Sequence, residues 1–180
     1  FRCVAETLQE LAQDKKYLGA SIGHTAVLHT WGQNLCFHPH IHCIVPSGGL
    51  TALGKWQSSR KKFFLPVRVL SRKFRGKFLA LLKLQMPEID QNLLNLCYQK
   101  EWVVYCKPPF KNAACVVEYL GRYTHRVAIS NNRILKIENG NVTFKWRDYC
   151  DSSRWKLMML DVNEFIRRFL MHVLPTGFTK

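Results

Sequence analysis

The sequence predicts an α+β fold, an antiparallel sheet with helices packed on it, and three observations carry that expectation. Two runs of strand-like alternation, "HTAVLHTW" and "HIHCIVP", are joined by a polar turn around Gly32 to Asn34. A second hairpin is signalled by Asn139-Gly140 between two further apolar runs. Segments of helical period stand at both ends of the chain and in its middle. With 180 residues, 47% of them apolar, the chain is long enough to bury a core as one domain over 1–180.

Taken in order, "CVAETLQELAQDKKYLG" has apolar residues at helical spacing and is expected to stop at Gly19. The two strands of the first hairpin follow as neighbours in one sheet, and "SGGLTALGKW" reads as loop. "FFLPVRVLSRKFRGKFLALLKL" starts extended and becomes helical after Pro66, with Val69, Phe74, Phe78, Leu81 and Leu82 on the apolar side. Pro87 ends that helix, and "EIDQNLLNLCYQK" forms a short second one. "EWVVYCK" is expected to be a strand stopped by Pro108 and Pro109. "NAACVVEYLGRYTHR" is helical by period despite Gly121, which costs roughly 1 kcal/mol against Ala in an exposed helix interior. "VAISNNRILKIENGNVTFKWRDY" reads as strands, and "DVNEFIRRFLMHVL" as a closing amphipathic helix with Asp161 as its N-cap.

A net charge of +15, from 27 Lys and Arg against 12 Asp and Glu, favours a polyanionic partner, nucleic acid first and an anionic membrane surface second. No apolar run approaches the roughly 20 residues of a membrane-spanning helix, and no cleavable signal opens the chain, so a cytoplasmic location is expected. The seven cysteines are odd in number and never spaced Cys-x-x-Cys, which suits reduced thiols better than a disulfide framework or a zinc ribbon. A first residue Phe1 and the ending "TGFTK" suit a piece of a longer protein.

"FHPHIHC" concentrates three of the seven histidines at alternating positions. Alternation puts His38, His40 and His42 on one face, with Ile41 and Cys43 on the other. In a straight strand His38 and His42 lie roughly 13 Å apart at Cα, so a pair at i and i+2 pinches one cation more easily than all three do. Pro39 cannot donate to a ladder, so the regular strand is expected to start at His40. His40 and His42 are therefore the expected metal ligands, with His38 a rim residue or a reserve ligand. Gln33, in the preceding turn, is the first candidate for third ligand, followed by Glu118 and His29. Two polar residues on a wet strand face would have the same pattern without a metal.

In "EYLGRYTHR", Tyr119 and Tyr123 stand four apart and share a helix face. Such a pair also suits half-buried aromatics packed on a sheet. Arg122, His125 and Arg126 add positive charge suited to a phosphate. A phenol with a pKa near 10 is a poor nucleophile at neutral pH and needs an activated electrophile. A divalent cation at His40 and His42 would activate a phosphodiester in this way, giving a covalent phosphotyrosine and a free 3′ hydroxyl.

These stretches, with "AVLHTWGQNLCFHPHIHCIVPSGGL", "FFLPVRVLSRKFRGKFLALLK", "WVVYCKPPF", "YLGRYTHRVAISNNRI" and "FLMHVLPTGF", resemble the HUH nucleases, named for a His-hydrophobic-His strand. Within them the chain is similar to the two-tyrosine rolling-circle transposases of the insertion sequence ninety-one group, over nearly its whole length. The resemblance implies a palm-like (ferredoxin- or RRM-like) HUH domain that nicks and transfers single-stranded DNA through 5′ phosphotyrosine intermediates. It implies Mg²⁺ or Mn²⁺ held by His40 and His42, with Gln33 similar in position to a polar third ligand. Tyr119 and Tyr123 are implied as the two nucleophiles. The partners implied are single-stranded or hairpin DNA at transposon ends and target, with no membrane and no small-molecule substrate, in a bacterial, nucleoid-associated setting. The N-terminal cysteine-rich zinc-binding region of such proteins and their C-terminal continuation are not in the 180 residues.

"RKKFF" and "SRKFRGK" interleave charge with aromatics, the mixture that tracks a backbone while stacking bases, and single out Arg72, Lys73, Arg75 and Lys77 for DNA. A solvated helix face is the ordinary alternative for the second stretch. "FKWRDY" and "SRWK" repeat the mixture, with Trp146 and Trp155 as stacking platforms or core residues. Two other functions compete: a transposase remnant that only binds DNA, and a zinc hydrolase built on the histidines of 38–42, which lacks an acidic base beside them.

Overall fold

A computed structural model describes residues 1–59, 64–124 and 128–173, and of 122–124 the backbone only. The fold is α+β, with five α-helices and antiparallel sheets among the described residues. The expectation of one sheet is corrected to three small ones among the described residues, and the chain divides into two compact units. The first comprises Phe1–Ala26 with Cys43–Lys111, the second Val27–His42 with Asn112–Lys180. No helix among the described residues is long and apolar enough to cross a membrane.

In the first unit, α1 (Arg2–Gln13) buries Cys3, Val4, Leu8 and Leu11, one stripe at helical spacing. It ends at Gln13 rather than Gly19, because Asp14 turns to an extended conformation. Gly19 then takes a positive φ and donates its N–H to the Asp14 carbonyl, which closes the turn.

The segment expected to be loop instead forms a hairpin, β3 (Gly48–Leu50) with β4 (Trp56–Ser58). Its glycines are required by close approach. A Cβ on Gly49 would stand 2.3 Å from the Ser21 carbonyl oxygen, and one on Gly48 would stand 2.5 Å from that of Gln57.

Helix α2 (Val67–Gln85) starts directly after Pro66, as expected, and α3 (Gln91–Gln99) is capped by Asp90, whose carboxylate accepts from the Asn92 N–H. Glu101–Phe110 is irregular, a correction to the predicted strand. Val103 and Tyr105 stand almost wholly in solvent, so this run's alternation has no apolar surface to pack against. Trp102, by contrast, packs against Phe74 and Phe78 of α2, and its indole donates to the Cys97 carbonyl.

Strands β1 (Thr25–Trp31) and β2 (Phe37–Ile44), whose stretch Val27–His42 belongs to the second unit, pair as a hairpin, and so close a connection makes them antiparallel. The ladder admits Pro39, so β2 starts at Phe37 and not at His40. Helix α4 (Ala113–Thr124) follows Asn112, whose side chain accepts from the Cys115 N–H. A three-stranded sheet then runs β5 (Ile134–Glu138), β6 (Asn141–Asp148), β7 (Arg154–Asp161). Asn139 and Gly140 both take positive φ, the turn their sequence calls for. Strand β7 is an element beyond the sequence expectation.

Helix α5 (Val162–Leu170) is capped by Asp161, as expected, and packs on β6 and β7. The core of this unit gathers Leu35, Ala128, Ile129 and Phe144, with Trp146, Met158, Phe165 and Phe169 around them.

Candidate active site

Strand β1 alternates, and its inner face carries Val27 and His29, both buried. On β2, His40 and His42 lie two apart, as the sequence spacing requires. The hairpin brings one ring nitrogen from each of His29, His40 and His42 within 4.8 Å of one another. Ring centroids are 4.6 Å apart for His29 and His42, 5.5 Å for His29 and His40, and 4.8 Å for His40 and His42. His29 also stacks on Trp31 at 4.7 Å, which holds its plane.

The protonation of one ring follows from its partner. His40 Nδ1 lies 2.7 Å from the His38 carbonyl oxygen. That oxygen only accepts, so Nδ1 carries the proton and Nε2 keeps the lone pair. His38 itself is exposed, with its ring 5.1 Å from that of His40, and stays outside the group of three. A backbone carbonyl that fixes the tautomer is the usual outer partner of a metal-ligating imidazole.

Tyr119 comes to the same place from α4. Its hydroxyl is 2.9 Å from His42 Nδ1, and the buried Nε2 is that ring's other nitrogen. Tyr123 lies one helical turn further along α4, and Arg122 beside it. Their side chains, and His125 and Arg126 entirely, lie outside what is described. Glu118 is exposed on the same helix. Cys43 follows His42 on β2, where burial pushes its thiol up to about 11, and strand alternation sets it on the face opposite His42.

The hairpin is held at its turn. Leu35 adopts a left-handed φ of 62° and is fully buried, so its side chain enters the core at the expense of local strain. The buried His172 spans the hairpin: Nδ1 is 3.1 Å from the Thr30 hydroxyl and Nε2 is 3.1 Å from the Leu35 carbonyl. Carbonyl acceptance assigns the proton to Nε2, so Thr30 donates to Nδ1. Arg133 donates to the Gln33 carbonyl and, at 2.9 Å, to that of Lys145. Arg168 donates to the Asn34 carbonyl at 3.4 Å. Gln33 therefore stands in a turn tethered through its backbone.

The role of His172 as a clamp escaped sequence reasoning, since a single histidine in an amphipathic helical run has no local signature. His29 was legible only as a later candidate for third ligand. Its signal is the alternation of "TAVLHTW", which puts it on the face of Val27.

The four basic residues of α2 that the sequence singles out have partners. Lys73 and Lys77 reach Glu10 at 2.8 and 2.5 Å, Lys77 also reaches Glu6 at 3.4 Å, and these pairs join α2 to α1. Arg75 donates to the Lys100 carbonyl at 2.5 Å, and Arg72 stands 3.7 Å from Glu101 with two-thirds of its side chain exposed. Of the stretch "RKKFF", only Phe64 lies within the described residues.

The residues present fit a divalent cation. Three imidazoles, one with its tautomer set by a carbonyl, converge over a span that metal–nitrogen bonds near 2.1 Å bridge after small side-chain adjustments. Three nitrogens are a borderline-soft donor set, better suited to Mn²⁺ or Zn²⁺ than to Mg²⁺, which takes oxygen.

Residues 23–180 match the family model described as "Putative transposase". Over 99% of the chain, 52% of positions are identical to "Putative transposase y4qJ" of Sinorhizobium fredii, and 27% to "Transposase for insertion sequence element IS801" of Pseudomonas savastanoi pv. phaseolicola. The chain covers 49% and 45% of those two proteins, about half the length of each. No solved structure matches it. With the family model covering all but the first 22 residues, the chain belongs to this family of transposases.

Proposed function

We propose that this chain is the metal-dependent catalytic part of a two-tyrosine, HUH-type rolling-circle transposase, which nicks single-stranded DNA and transfers the strand. The observation that carries this reading is the 2.9 Å approach of the Tyr119 hydroxyl to His42, inside a group of three histidines. His40, His42 and His29 would hold the cation, with the Gln33 amide as the other candidate for the third place. When bound, the cation would supply positive charge that polarises a non-bridging phosphate oxygen.

The chain's own residues do the rest. Tyr119 oxygen attacks phosphorus, a phosphorus–oxygen bond to tyrosine forms, and the bond to the 3′ oxygen breaks. With Nε2 turned to the cation site, His42 carries its proton on Nδ1 and would donate it to the Tyr119 oxygen, which favours the phenolate. The phenolic proton passes to solvent, and the 3′ oxygen leaves as a hydroxyl by taking a proton from solvent. One phosphodiester replaces another, so rejoining needs no external energy source. Tyr123, on the same face one turn along α4, would serve the second transfer. Arg122, His125 and Arg126, close to Tyr119 in sequence, would add positive charge suited to a phosphate, and Arg72 of α2 is exposed and open to DNA. The expected substrates are single-stranded or hairpin DNA, and the expected setting is the bacterial cytoplasm at the nucleoid.

Incubating the protein with 5′-labelled and 3′-labelled single-stranded DNA and Mn²⁺ tests this. A denaturation-resistant adduct should carry the label downstream of the nick, and Tyr119→Phe with Tyr123→Phe should abolish it. An adduct that survives the double substitution would falsify the nucleophile assignment. Tight retention of one Zn²⁺ with hydrolysis and no adduct would favour a hydrolase instead, and salt-sensitive binding alone would favour a DNA-binding remnant.

A further inference from the structure

The outer face of the β5–β6–β7 sheet has no role in the reaction described above. Strand β7 is an edge strand among the described residues, and it turns Trp155, Leu157 and Met159 outward at alternate positions. They are 59, 68 and 68% exposed. Their partners across the ladder are Arg147, Lys145 and Thr143 of β6. The inner face takes Val142 and Phe144, both buried, and Trp146 packs against that core. The two tryptophans the sequence singled out thus part company: Trp146 belongs to the core and Trp155 to the surface.

A solvated sheet face is ordinarily polar, and an exposed apolar row along a whole strand marks an interaction surface. Here an apolar row and a cationic row run side by side, about 4.8 Å apart as neighbouring strands are. The Lys145 ammonium lies 5.8 Å from the Trp155 ring centroid, and Arg147 donates to the Ser153 carbonyl at 2.9 Å, which aims it along the sheet. Lys136, opposite Thr143, adds a further cation, shared with Glu138 at 3.3 Å. Against a second copy the cationic rows would meet like charge, in a chain already at +15. A flexible polyanion with flat apolar bases matches both rows at once.

We propose that this face binds single-stranded nucleic acid, with a base stacked on Trp155 and phosphates along Lys145 and Arg147. The inference rests on the single-strand reading above and adds a binding surface to it. The test is fluorescence anisotropy of a labelled oligothymidylate with the whole chain in EDTA, so that no covalent step contributes. Trp155→Ala should weaken binding roughly tenfold, and Trp155→Phe should retain most of it. Lys145→Ala with Arg147→Ala should flatten the slope of log affinity against log salt by about 1.4. Circular dichroism and melting curves would show that the variants fold.

Wild-type affinity in Trp155→Ala, with adduct formation intact, would overturn the proposal and leave the nuclease reading standing. A wild-type protein that forms dimers broken by Leu157→Lys, with DNA affinity unchanged, would overturn it in favour of self-association. A wild-type protein that ignores single strands altogether would overturn both readings.

Discussion

His29 decides how the imidazoles meet. Along one strand, positions i and i+4 stand roughly 13 Å apart, whereas side chains on neighbouring strands face each other at about 5 Å. A third ligand is therefore cheaper to recruit from β1 than from further along β2, and the exposed His38 stays outside. On this basis His29→Ala should lower Mn²⁺ affinity on the order of 100-fold, at or beyond the upper end of what outer-shell changes cost, as read by calorimetric titration. Gln33→Ala should leave it within a few-fold. An equal loss in both variants would return the Gln33 amide to the ligand set. His40, His42 and Tyr119 were legible as residues to watch because their spacing is local, a strand pair and a helix face. That His29 would join them was only one option among three, since it depends on how two strands pair.

At the scale of elements, the hairpin β1–β2 keeps its geometry through residues distant in sequence: His172 after α5, Arg168 within α5, and Arg133 ahead of β5. Helix α5 is thus both a lid on the core and an anchor for the turn. Glu164 braces it, receiving Arg167 at 2.6 Å and Arg168 at 2.7 Å. Hydrogen bonds from those two guanidiniums hold the Glu164 carboxyl down to about 2, below its ordinary value of 4.5. A lowered folded-state pKa contributes stability that is present above about 4.5 and is lost as pH falls toward 2. Glu164→Gln should therefore lower stability at neutral pH and flatten the loss between about 4.5 and 2, with little difference from wild type below that range, as followed by circular dichroism. The carboxylate is exposed, so the effect should shrink at high salt.

The elements that sequence reasoning missed have related causes. Gly48 and Gly49 look like loop residues by propensity, yet they form a strand because the neighbouring backbone comes too close for a Cβ. Glu101–Phe110 has the alternation of a strand and no assigned ladder. Strand β7 hid behind its outward apolar row, which leaves no polar alternation to read.

For the molecule as a whole, the excess of cations is the property that reaches furthest. At +15, with Lys73 and Lys77 joined to Glu10 within the fold, other cations remain to displace counterions from a phosphate backbone. Affinity for single-stranded DNA should fall at least tenfold between 50 and 200 mM salt, about what three phosphate contacts would produce, in a filter-binding or anisotropy series. A flat response would mean that charge does not govern binding. The fold divides into two compact units, with the histidine group and Tyr119 both in the second. The candidate chemistry is therefore assembled within one unit, from a hairpin and a helix some eighty residues apart in the chain.

By itself, the order of residues determined the α+β class, the start of α2 after Pro66, the presence of α3, the Asn139-Gly140 turn, the Asp161 cap and the two-residue spacing of His40 and His42 along one strand. Each of these follows from contacts within a few residues, where period and capping chemistry act directly. Only the tertiary structure decided that His29 completes the cluster, that His172 clamps its turn, that Trp146 is core while Trp155 is surface, and that Tyr119 reaches His42. Those outcomes depend on which distant elements pack together, a matter of complementary shape and burial that local periodicity does not encode.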